Sequence, residues 1–121
     1  MYAGSEKRKY KRIKQQFIVK MREKTVGAEW DMLTTKNLSA GGVLLNYDRK
    51  PAVGSLVEME INFPAIAESV DCTGKVNRIE QDANSPIIRF ATVFTEIEAK
   101  TKEAINVTAE KLYLKKPERI D

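Results

Sequence analysis

Histidine is absent from the 121 residues, and cysteine occurs once, as Cys72. Without histidine there is neither an imidazole general base nor a histidine metal ligand. One cysteine cannot build an intrachain disulfide framework or a cysteine-rich metal site, so a reducing, cytoplasmic setting is expected. No run of about 18 apolar residues occurs, which argues against membrane insertion. Positions 1–16 carry charges with no apolar stretch behind them, which argues against a secretory leader. The carboxylates show no distinctive acid/base spacing, so no catalytic residue, metal or cofactor is assigned and a non-enzymatic role is expected.

What is present is a local positive charge. Lys and Arg number 21 against 17 Asp and Glu, a net charge of +4 with a pI near 9.2. Six of the basic residues fall between Lys7 and Lys14. That concentration favours an anionic partner.

Residues 1–14 are polar, basic and poor in large aliphatics, and are expected to form a flexible arm. Residues 15–121 then form one domain. Six strand-like stretches follow one another: FIVKM, EWDMLTTKN, GVLLNY, SLVEMEINF, a stretch from Val70 to Ile79, and PIIRFATVF. Between them stand Gly41-Gly42, the Asp48 to Pro51 cluster, Gly54, Pro64 and the run from Asp82 to Pro86, all turn formers. In SLVEMEINF, Val57, Met59, Ile61 and Phe63 alternate with Leu56, Glu58, Glu60 and Asn62, the period of a strand with one dry face and with Leu56 the exception on the wet side. The period then changes: Ile97, Thr101, Ala104, Ile105, Thr108 and Leu112 share one face of a helix spanning about 96–115. Thr95 with Glu98 reads as its capping box, and Pro117 follows its end. The expected fold is mainly β, an antiparallel barrel or sandwich with a C-terminal helix.

Two motifs carry chemistry. RKYKR holds Arg8 and Arg12 four residues apart, and an arginine fork can grip a phosphate or the O6 and N7 edge of guanine bidentately. NLSAGG holds Asn37, Ser39 and Gly42, short polar side chains beside glycines. Each has a plain structural reading: the arginines as part of a solvated basic arm, and NLSAGG as a capped tight turn whose glycines take positive φ.

In order and spacing the two motifs resemble the PilZ domain family, whose signature is RxxxR followed after intervening strands by [D/N]xSxxG. CTGKVNRI and IIRFATVF are similar to two later strands of that family. Ala91 departs from a frequent glycine in the last of these. The resemblance implies a six-stranded antiparallel β-barrel that receives the bacterial second messenger cyclic di-GMP on its outside. It implies that Arg8 and Arg12 clamp phosphates and guanine edges, that Asn37 and Ser39 hydrogen-bond a guanine, and that Gly42 leaves room. Lys7, Lys11, Gly41 and Arg78 are the further candidates. Ordering of the arm by the ligand would present a changed surface to a protein partner in motility, adhesion or exopolysaccharide output.

Two other readings stand beside this one: a small basic barrel that binds single-stranded nucleic acid, and a PilZ-like adaptor that has no ligand. The first needs exposed aromatic rings interleaved with basic residues. Trp30, Phe17, Phe63, Phe90 and Phe94 are instead spaced as core or half-buried residues, and Cys72 as a small buried hydrophobe.

Overall fold

A computed structural model describes residues 11–63, 69–81 and 83–115, with side chains as far as residue 112. Lys7, Arg8 and most of the expected arm lie outside the described residues, as do Pro64 and Pro117. Six strands form where the sequence predicts them: β1 (Ile18–Glu23), β2 (Asp31–Leu38), β3 (Gly42–Tyr47), β4 (Leu56–Ile61), β5 (Val70–Gln81) and β6 (Ile88–Glu96). All their pairings are antiparallel, and the strands close into a barrel in the order β1-β2-β3-β6-β5-β4. Closure gives every one of these strands a neighbour on both sides.

The inward residues of each strand meet in one core. β4 contributes Val57, Met59 and Ile61, while Leu56 stays exposed. Phe17 meets Phe63 edge to face, with ring centroids 5.4 Å apart, and Phe90 lies against Tyr47 at 5.7 Å. Gly74 lets Met59 pack close, because a Cβ there would lie only 2.9 Å from Met59 Cε. Cys72 is buried in this core, and burial pushes its thiol up to about 12.

Trp30 departs from the expected burial. It is 38% exposed, and the Arg22 guanidinium covers its ring at 4.3 Å from the centroid. Arg22 also donates to Glu58 Oε1 at 2.7 Å, so the indole is one wall of a surface ion pair.

Helix α1 (Ala99–Lys115) follows β6 and sets Thr101, Ile105 and Ala109 at intervals of one turn, all three buried, with Ile105 and Ala109 in the barrel core. Its N-terminus differs from the capping-box expectation. The first helical bond runs from Lys102 N–H to the Glu98 carbonyl, and Thr95 Oγ1 instead donates to the Thr73 carbonyl at 3.3 Å. Thr95 is held by β5 through that bond and belongs to β6.

The incoming segment is tied down before β1 begins. Ile13 is completely buried, and it exchanges hydrogen bonds in both directions with Leu38, at 2.6 and 2.9 Å. Buried Thr35 completes the tie: its hydroxyl donates to the Gln15 carbonyl and accepts from Phe17 N–H, both at 2.9 Å. A single aliphatic in an otherwise polar stretch fixes residues 13–17 along β2.

Candidate functional site

The tie at Ile13 decides where Arg12 goes. Because Ile13 pairs with Leu38 in antiparallel sense, the residue before it lies opposite Ser39. Arg12 and NLSAGG are thus brought together by strand pairing, although they are far apart in sequence.

The place where they meet is a shallow trough of about 160 Å³ on the outside of the barrel, across four neighbouring strands. Asn37 and Ser39 stand on the β2 side, and Asn77 and Arg78 on the β5 side. Between them lies a floor of Gly42, Leu44, Ala91 and Val93 from β3 and β6. Leu44 and Ala91 are only 8% and 9% exposed, yet they stand outside the barrel core. The trough therefore has an apolar floor and polar rims, with Arg12 and Arg78 supplying positive charge.

Of the residues singled out from sequence, Arg12, Asn37, Ser39, Gly41, Gly42 and Arg78 line this trough. Lys11 is half-buried and does not line it. Lys7 and Arg8 lie outside the described residues.

Each lining residue answers to its own constraint. Ser39 Oγ accepts from Gly41 N–H at 3.2 Å and lies 3.4 Å from the Gly42 carbonyl, to which it donates, so this hydroxyl shapes the turn. The glycines of the motif do not use positive φ, which among the described residues is confined to Gly27 and Gly54. Gly42 is required by close approach instead: a Cβ there would lie 2.1 Å from the Thr92 carbonyl oxygen on β6. Asn37 makes no side-chain hydrogen bond among the described residues, and its amide is available to a ligand. Arg78 is paired with Glu80, Nη2 to Oε2 at 2.8 Å, and both partners are about half exposed. Such an exposed pair contributes about 0–1 kcal/mol.

Of the roomier clefts among the described residues, the two with the most space suit an anion less well. One, of about 530 Å³, is lined by Glu58, Glu60, Asp71, Glu96 and Glu98 and carries the wrong charge. The other, of about 540 Å³, has Ile18, Met32 and Ile87 at its surface and balances Arg49 with Asp31 and Asp48. Size favours these clefts, but charge favours the trough. Sequence reasoning missed Asn77 and the apolar floor. The one signal for Asn77 is an asparagine inside a strand, a residue type depleted there.

Among the described residues, no group of three or more His, Cys, Asp or Glu side chains is placed to hold a metal. Nor is any described helix long and apolar enough to cross a membrane.

Comparison with solved structures gives likenesses of fold. The chain is similar to Bacillus subtilis MotI/DgrA, an inhibitor of motility, with a TM-score of 0.79 and 21% identity over 90% of this chain and 52% of that one. It is similar to the PilZ domain of YcgR from Escherichia coli, solved with c-di-GMP, with a TM-score of 0.63 and 16% identity over 94% and 99% of the two chains. The K. pneumonia MrkH complex with c-di-GMP gives 0.65 and 14% over 94% and 54%. The chain thus spans about half the length of MotI and of MrkH. No curated protein sequence matches it. The PilZ domain family matches residues 6–108, most of the 121 residues, and the chain belongs to that family.

Proposed function

We propose that this domain receives cyclic di-GMP in the trough and signals its presence to a protein partner. The observation that carries the reading is the meeting of Arg12, Asn37, Ser39 and Arg78 around one apolar floor on the barrel exterior. Cyclic di-GMP has two phosphates and two flat guanines, and the trough offers cationic forks, an available carboxamide and an apolar surface. Arg12 grips a phosphate or a guanine edge from its place beside Ser39. Asn37 hydrogen-bonds a guanine, and Gly41 and Gly42 keep the backbone low beneath it. Arg78 exchanges Glu80 for the ligand, while Lys11 adds attraction at longer range.

A trough of about 160 Å³ is too small to enclose a cyclic dinucleotide, so the ligand keeps an uncovered outer face. Arg8, four residues before Arg12, closes on that face, with Lys7 beside it. Ordering of the arm ahead of Ile13 then changes the surface offered to a partner, and residues 15–121 act as the platform. A partner in motility fits the likeness to an inhibitor of motility; adhesion and exopolysaccharide output are the other outputs. The activity is recognition rather than catalysis, in the cytoplasm, with no cofactor besides the ligand.

Single-stranded nucleic acid is the poorer reading, because Phe17, Phe63 and Phe90 are buried and Trp30 is covered by Arg22. Thermal unfolding separates the readings. Cyclic di-GMP at about 100 times its Kd should stabilise the fold by about 2.7 kcal/mol, whereas GTP and a short oligonucleotide should not. An unchanged midpoint with saturating cyclic di-GMP would sink the proposal.

A further inference from the structure

We infer that Asn77 is a further ligand-contacting residue of the trough and that it reads the base rather than the phosphates. This rests on the cyclic di-GMP reading and adds one contact to it. The pairing of β5 with β6 slips at this point: Val76 faces Thr92 and Arg78 faces Ala91, leaving Asn77 without an opposite residue. Such a bulge interrupts the alternation of sides. Asn77 and Arg78 are consequently both exposed, one after the other.

The opposite rim is built in the same way. β2 slips against β3 between Thr35 and Asn37, and Asn37 also lines the trough. Two carboxamides therefore flank the floor of Leu44, Ala91 and Val93. Asn77 makes no side-chain hydrogen bond among the described residues, whereas its neighbour Arg78 is held by Glu80. Strand packing gives no reason for an asparagine here.

The chemistry of the side chain sets its role. A carboxamide presents an acceptor and two donors in one plane, and a guanine edge presents acceptors O6 and N7 beside donors N1–H and N2–H. Being neutral, Asn77 adds little to phosphate attraction. Its contribution is discrimination: an amide set to donate to O6 and accept from N1–H of guanine meets the reverse order of groups, N6–H2 and N1, on adenine.

Calorimetry on Asn77→Ala and Asn77→Leu, with cyclic di-AMP as competitor, tests this. Each variant should lose about tenfold in cyclic di-GMP affinity, the value of one hydrogen bond, while unfolding at the wild-type temperature without ligand. Cyclic di-AMP should compete relatively better than it does in the wild type. Affinity within about twofold of wild type in both variants overturns the contact, and an unchanged competition ratio overturns base reading. Failure of the wild type to bind cyclic di-GMP overturns the underlying proposal instead.

Discussion

Gly42 and Asn37 stand in one motif and answer to different constraints. The carbonyl of Thr92 occupies the space a Cβ at position 42 would need. Gly42→Ala should therefore destabilise the fold by about 1–3 kcal/mol, read as a lowered urea midpoint without ligand. Asn37 carries no structural side-chain hydrogen bond among the described residues. Asn37→Ala should leave that midpoint in place and weaken cyclic di-GMP about tenfold, as measured by calorimetry. Arg12→Ala should weaken it more, about tenfold to a hundredfold, because its bond to phosphate is charge-assisted. The motif was legible in sequence, but this division of labour was not. It depends on β6 lying against β3, a contact between residues far apart in the chain.

The segment before β1 joins the two halves of the site. Ile13 and Thr35 hold it against β2, and the position of Arg12 follows from that pairing. Thr35→Val removes a donor and an acceptor at once, leaving Phe17 N–H and the Gln15 carbonyl without their partner. It should cost about 1–3 kcal/mol of stability by denaturant unfolding and should also weaken cyclic di-GMP, although Thr35 does not line the trough. The strands themselves were readable because one face of each is dry, and alternation records that directly. The bulges at Thr35/Asn37 and Val76/Arg78 were not, since a slip in register is a property of two strands and leaves no mark on either alone. The helix start moved for a similar reason: Thr95 found a partner on β5, and the first helical bond fell to the Glu98 carbonyl.

The barrel as a whole protects two groups that hold their protons more tightly than usual. Burial pushes the Cys72 thiol up to about 12, and burial together with the hydrogen bond to Asp31 pushes the Tyr47 hydroxyl up to about 12. For a raised value, the stabilisation is complete below the ordinary value and is lost as pH rises toward the folded one. The windows are therefore 9 to about 12 for Cys72 and 10 to about 12 for Tyr47. The urea midpoint should fall as pH rises through 9, and Cys72→Ala should flatten the first part of that fall. The succession of six strands along the chain and the C-terminal helix were legible from period and turn residues; the barrel order of the strands and the shape of the trough emerged only on closure. Calorimetric titration of the wild type and of Arg12→Ala with cyclic di-GMP puts the role of that trough to the sharpest test. Saturable heat is expected for the wild type and an isotherm at least about tenfold weaker for the variant, whereas no heat, or equal affinities, would contradict a cyclic di-GMP site at this place.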